Sequence, residues 1–198
     1  MSYDLLLSLV TLAAAATLAP GPNNALVASS SATFGLRRTA PHIVGIVIGF
    51  PLMMLIVGLT LGEVFQRSDL LREGLRLVGA ALLLWIAWKL WSAGGLSGSG
   101  GRARPFTFLE AAGFQWINPK AWAMAVAVTA QFISPAAPVV TAAVIALVFS
   151  CVGGFSISTW AVAGALLTRW LSTERRLKLF NRVMAVLIVL SVALLFVG

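Results

Sequence analysis

Acidic side chains are almost missing from this chain of 198 residues: six Asp and Glu stand against fourteen Lys and Arg, and charged residues make up only 10% of the total. Soluble domains carry about 25% charged residues and need them to stay in solution. A soluble enzyme, a disordered protein and a nucleic-acid-binding module are therefore all disfavoured. Cysteine and histidine occur once each, as Cys151 and His42, which leaves no disulfide framework, no CxxC pair and no Cys/His metal cluster. No metal or other cofactor is expected. Ser-His-Asp, paired-carboxylate and HExxH arrangements are absent too, so the chain offers no visible catalyst and reads as a non-enzyme.

What the sequence does have is length of apolar run. No Asp, Glu, Lys or Arg occurs from Leu5 to Leu36, from Thr39 to Gly62, or across the 48 residues from Ala121 to Thr168. A helix needs about 20 mostly apolar residues to cross a bilayer, so the last run holds two spans. Ser134-Pro135-Ala136-Ala137-Pro138 is the turn between them, because its prolines remove backbone donors and disfavour helix just before each ring. With spans near Leu75–Trp91 and Arg175–Val197, the expectation is an all-α polytopic membrane protein of six transmembrane helices. A cleavable signal is not expected, since Met1-Ser2-Tyr3-Asp4 lacks a positive n-region.

The basic residues then sort by loop. Odd-numbered gaps hold ten (Arg37, Arg38; Lys89, Arg102, Arg104; Arg169, Arg175, Arg176, Lys178, Arg182) and even-numbered gaps three (Arg67, Arg72, Arg76), with Glu63, Asp69 and Glu73 nearby. Loop basicity marks the cytoplasmic side, which puts both termini outside and accounts for the positive charge without nucleic acid. Trp85, Trp88 and Trp91 beside Lys89, and Trp170 beside Arg169, fall where interfacial anchors belong.

The chain also divides in two. The whole reads as one transmembrane domain, 1–198, with a first three-helix repeat over 1–93, a Gly-rich cytoplasmic linker over 94–105 and a second repeat over 106–198. The first span of each half is interrupted, at Pro20-Gly21-Pro22-Asn23-Asn24 and at Asn118-Pro119-Lys120, and aligning Pro22 with Pro119 gives an offset of 97 residues. Three spans per half force opposite orientations, and matched breaks in inverted halves point to a transporter binding site. Backbone groups freed by a break are tolerated only against protein or a wet cavity. Proline at the start of a continuing helix costs no hydrogen bond, so each second half-helix should direct a positive N-terminal end at the midplane, where a carboxylate fits.

Ala19-Pro20-Gly21-Pro22-Asn23-Asn24 with Ser29, Ser30 and Gly35, the Gly-x-x-x-Gly-Phe running to Phe50, and the later Ile117-Asn118-Pro119-Lys120-Ala121 carry a resemblance. Over essentially its whole length the chain resembles the lysine exporter (LysE) superfamily, most closely its homoserine/threonine-exporter (RhtB-type) branch and, within that, the cysteine and O-acetylserine exporters. The resemblance implies a small six-helix exporter of amino acids in the bacterial cytoplasmic membrane. The thiol-reducing branch keeps redox cysteines at its breaks, whereas this chain has Pro-Gly-Pro and Asn-Pro-Lys there.

Residue by residue, Lys120 is the one fixed charge expected near the midplane. Charge at the bilayer centre costs at least about 2.5–3.5 kcal/mol, which makes Lys120 a candidate for substrate carboxylate binding or proton coupling, against a structural role donating to carbonyls freed by the breaks. Asn23, Asn24 and Asn118 can bind substrate or cap a half-helix. Gln115, Trp116 and the cluster Ser156, Ser158, Thr159 and Trp160 are candidate cavity liners. Pro20, Gly21, Pro22 and Pro119 shape the breaks, Gly21 by its freedom to take positive φ. Ser29 and Ser30 are expected in close helix packing. Glu110 is a second proton-coupling candidate, or an ion-bridge partner of Arg102 and Arg104. His42 is expected to be a solvated residue at a helix end. The spacings Gly45/Gly49 and Gly58/Gly62 allow tight contact within a subunit or between subunits of a homo-oligomer. The expected substrate is a small neutral amino acid moved against protons. The alternative is a membrane redox or metal-handling relative, which would need paired cysteines or carboxylates at the breaks.

Overall fold

A computed structural model of the chain describes residues 1–61, 69–92, 104–167 and 173–194. Among them there is no strand, and the helices are α1 (Tyr3–Leu18), α2 (Pro22–Phe34), α3 (Leu36–Ile56, continued by a π turn over Val57–Leu61), α4 (Asp69–Ser92), α5 (Phe108–Phe114, followed by a 3-10 turn over Gln115–Ile117), α6 (Pro119–Phe132), α7 (Pro138–Leu166) and α8 (Glu174–Leu194). Gly62, Glu63, Arg67, Arg102, Arg169, Trp170 and all but the last two residues of the Gly-rich linker lie outside the described residues.

Helix boundaries follow from local chemistry. The Ser2 hydroxyl accepts from the Leu5 N–H at 3.3 Å to cap α1, and Thr107 with Glu110 forms a reciprocal capping box on α5. Pro22, Pro119 and Pro138 each start a helix, where a missing N–H costs nothing. Gly35 alone joins α2 to α3, at φ +79°, a left-handed value that glycine adopts without a Cβ clash. Pro51 inside α3 removes the donor for the Val47 carbonyl, and the Ser150 hydroxyl from α7 supplies one at 3.4 Å. The turn over 133–137 falls where its prolines place it, and the Thr141 hydroxyl accepts from the Ser134 N–H at 3.1 Å.

Two continuous helices, Leu36–Thr60 and Pro138–Leu166, are long and apolar enough to cross a bilayer, and α1 with α2, bent by 53° at the break, makes a third as a broken pair. Their uncovered faces are apolar. Val44, Ile48 and Leu52 form an exposed stripe on α3, and Val139, Val140, Leu147, Phe155 and Leu166 are exposed on α7. A stripe of that size suits lipid better than water.

The main apolar core joins Leu9 and Ala13 of α1, Phe50, Met53 and Met54 of α3, Trp122, Ala125 and Phe132 of α6, and Ile145 and Phe149 of α7. A second cluster joins α2, α4, α5 and α8 through Ala25, Leu83, Phe114 and Ile188. Small residues set the close approaches. A Cβ on Gly45 would lie 2.5 Å from the Phe108 carbonyl oxygen, and one on Gly49 would lie 2.6 Å from the Ala112 Cα, so this GxxxG spacing seats α5 on α3 within the subunit. Gly164 likewise lets α7 meet the Ala28 carbonyl of α2. Ser29 donates to the Asn181 side chain at 2.9 Å, a buried polar tie between α2 and α8.

Towards the end of α4, Trp85, Trp88 and Trp91 are exposed, Lys89 lies over the first two rings, and Arg182 of α8 sits 5.2 Å from the Trp91 ring. The contact places the end of α4 and the start of α8 on one face. His42 is a correction: it is 2% exposed, packed edge-on against Phe106 at 5.0 Å between ring centroids, because the segment leading into α5 covers this part of α3.

Candidate functional site

The two helix breaks meet. Pro20 and Pro22 lack the N–H groups that would serve the carbonyls of Ala16 and Leu18, so α1 stops at Leu18 and α2 restarts after Gly21. The carbonyls at this end of α1 are taken by side chains. Thr17 O accepts from Asn24 Nδ2 at 2.8 Å and from Ser156 Oγ at 2.8 Å; Ala19 O accepts from Asn24 Nδ2 at 3.0 Å. Lys120 then reaches across from α6, its Nζ donating to Ala19 O and Pro20 O at 3.3 Å each.

Gly21 has an extended backbone, φ −173° and ψ 178°, which any residue could adopt. Its expected positive φ is not found. What glycine provides is space: a Cβ there would lie 2.8 Å from Lys120 Nζ and 3.2 Å from its Cδ. The absent side chain is what lets the lysine cross to the first break.

The second break is closed from within. The Asn118 N–H donates to Gln115 O, the Asn118 side chain caps α6 by accepting from Lys120 N at 3.1 Å, and Trp122 Nε1 donates to Trp116 O at 2.8 Å. Besides Lys120, a side-chain pair ties it to the first break: Asn23 Nδ2 donates to Gln115 Oε1 at 2.9 Å while Gln115 Nε2 donates to Asn23 Oδ1 at 3.3 Å and to Ala111 O at 2.9 Å. Gln115 is fully buried in this role and sits behind the cavity wall rather than on it.

Between the breaks lies a cavity of about 60 Å³. Its polar wall is made by Thr17, Gly21, Asn23, Asn24, Asn118, Lys120 and Ser156, and Lys120 is the one ionisable side chain among the described residues that line it. The rest of the lining is apolar, from α3, α6 and α7. The N-terminus of α2 borders the cavity with no side-chain cap, whereas that of α6 is capped by Asn118. An uncapped helix start favours an anion, and carbonyl oxygens at a helix end favour a cation. Groups suited to either end of a zwitterion thus lie next to each other in the chain, the carbonyls of Ala19 and Pro20 just before the start of α2.

Not all expected liners reach this place. Of the cluster Ser156, Ser158, Thr159 and Trp160 on α7 only Ser156 does; Ser158 and Thr159 are exposed on another face, Thr159 bonding back to Phe155 O at 2.9 Å, and Trp160 packs in the α2/α4/α8 cluster. Pro20 and Pro119 shape the breaks without lining the cavity. Glu110 lies at the start of α5, held by Arg104 in a forked pair at 2.7 and 3.1 Å and by the Thr107 N–H at 2.8 Å. Its carboxylate, by hydrogen bond and by charge, raises the Arg104 guanidinium above its ordinary pKa. Thr17, Met124 and Phe149 escape the sequence reading: a carbonyl acceptor and apolar side chains carry no mark in a chain that is apolar throughout. Among the described residues no three His, Cys, Asp or Glu group to hold a metal, and Cys151 is exposed on α7.

A family profile described as LysE type translocator matches residues 14–198. Among curated relatives, a cysteine/O-acetylserine efflux protein of Klebsiella pneumoniae subsp. pneumoniae is 29% identical over 85% of this chain and 86% of its own length. Proteins of the same name are 28% identical in Escherichia coli (strain K12), over 99% of this chain and 100% of the relative, and in Salmonella typhimurium, over 77% and 78%. No solved structure matches the chain significantly. Two proline-started half-helices meeting at a small cavity beside Lys120, in a chain whose profile match runs from α1 to its end, make this protein a member of the LysE type translocator family, a transporter and not an enzyme.

Proposed function

We propose that the chain exports small neutral amino acids or their derivatives, in the range of cysteine, O-acetylserine, threonine, homoserine and leucine, across the bacterial inner membrane. The observation that carries this reading is the first break, where the uncapped start of α2, Thr17 and Lys120 border one small cavity and Lys120 reaches from it to the carbonyls of Ala19 and Pro20. The substrate carboxylate takes the α2 N-terminus and Lys120. Its ammonium takes the carbonyls that Lys120 now holds, so the lysine Nζ stands in for a substrate ammonium until one arrives. Cationic amino acids are disfavoured, because no carboxylate lines the cavity among the described residues to receive a second positive charge. The names of the relatives support the same substrate range.

The helices are read as six spans in two inverted halves with both termini outside. Pro22 and Pro119 both sit in the first turn of a helix, and α3 packs on α5 as α7 packs on α1. Asn23 and Lys120 each follow their proline by one residue, and each crosses to the other break. In this layout the Lys120 contacts close the outer side of the cavity and the Asn23–Gln115 pair closes the cytoplasmic side. Opening one while the other holds gives alternating access. Proton antiport supplies the driving force, with Lys120 as its carrier; Glu110 is the second candidate, engaged by Arg104 and Thr107 in this state.

Counterflow in proteoliposomes under an imposed pH gradient tests the function. Labelled cysteine, O-acetylserine or threonine should exchange, lysine and arginine should not, and Lys120→Ala should slow exchange about 10- to 100-fold, as expected for losing a charge-assisted hydrogen bond. No exchange of any neutral amino acid by the wild type would overturn the assignment.

A further inference from the structure

The apolar part of the cavity lining includes two aromatic rings. Phe50 of α3 and Phe149 of α7 meet edge to face, with centroids 5.7 Å apart and planes at 82°. Both line the cavity, yet Phe50 is only 8% exposed and Phe149 1%. They are wedged in the main core beside Met53, Met54 and Ile145. Side chains packed this way sit in fixed rotamers and do not retreat to admit a larger guest. A cavity of about 60 Å³ holds the equivalent of roughly four to six waters, a volume suited to a compact solute.

The rings come one from each half of the chain: they lie 99 residues apart, two residues off the offset of 97 that superposes Pro22 on Pro119, one within α3 and one within α7. Neither belongs to a broken helix.

We propose that the Phe50–Phe149 pair sets the upper size limit on the substrate side chain, the amino and carboxyl groups being held at the first break and the side chain directed at the rings. This rests on the amino-acid export proposed above. Because each half contributes one ring, the limit is common to both openings of the cavity, and relaxing either ring relaxes it. Residues of the polar wall govern whether an amino acid binds at all, whereas these two rings govern which one.

The test is the ratio of phenylalanine to cysteine counterflow, both rates read in the same proteoliposomes, for wild type, Phe50→Ala, Phe149→Ala, Phe50→Leu and Phe149→Leu. The wild type should exchange cysteine and exclude phenylalanine. The Ala variants should raise the ratio roughly tenfold or more, in line with what a few methylenes of pocket space are worth in discrimination. The Leu variants should raise it in the same direction by less, and they carry the test where an Ala variant does not fold. Exchange of phenylalanine as fast as cysteine by the wild type, or a ratio unmoved in every folded variant, overturns the size limit while leaving amino-acid export standing. Exchange of no amino acid by the wild type overturns both.

Discussion

The two helix breaks share a sequence logic, a proline restarting a helix, but they are satisfied differently. At the second break the freed groups are matched by residues 115–122 themselves, through the Asn118 cap, the turn at Gln115 and the Trp122 indole. At the first break the freed carbonyls depend on distant side chains, Ser156 from α7 and Lys120 from α6, with only Asn24 local. A locally closed break keeps its shape whatever else moves. A break whose carbonyls are held by a lysine from the other half of the chain can exchange that lysine for another ammonium. In the proposed function the second break is the mount that presents Lys120, and the first is where the substrate binds.

The comparison can be broken at either side. The largest effect is expected from Gly21→Ala, since a Cβ 2.8 Å from Lys120 Nζ and 3.2 Å from its Cδ makes the lysine shift from its place over the carbonyls while the extended backbone at this position tolerates alanine. Cysteine counterflow should fall about as far as in Lys120→Ala, by about 10- to 100-fold, with little change in the amount of folded protein. Near-wild-type exchange would show that the approach of Lys120 to the first break is dispensable. A smaller effect of the opposite kind is expected from Asn118→Ala. Losing an N-cap costs about 0.5–2 kcal/mol, so the melting temperature of the purified protein should drop. Exchange by the molecules that remain folded should change only a few-fold. A collapse of transport at unchanged stability would mean that Asn118 touches substrate and that the second break is no mere mount.

Much of this was legible in the sequence because proline and charge speak loudly in an apolar chain. Pro22 and Pro119 sit at the first turn of their helices as their rings dictate, and Lys120 stands at the meeting of the breaks as the cost of burying its charge implies. Of the two roles open to it, this conformation shows the bond to freed carbonyls. What was not legible is what depends on facing. In α7, apolar on every side, no period distinguishes the cavity face, so Thr159 and Trp160 were grouped with Ser156 although they point elsewhere. Gly21 shows the same gap, since the sequence marks a glycine but not the lysine that fills the space above it. His42 follows a proline near two arginines and reads as solvated, and only the fold brings Phe106 over it.

The central claim is that a substrate takes the place of Lys120 at the first break and then holds the lysine through its carboxylate. Heat protection of purified protein by cysteine or O-acetylserine measures this most directly, because a ligand that binds only the folded state raises the melting temperature with its concentration. The wild type should be protected in a saturable way, and Lys120→Ala should need roughly 10- to 100-fold more ligand for the same rise. Equal protection of the two proteins at equal concentrations would contradict a substrate-binding role for Lys120.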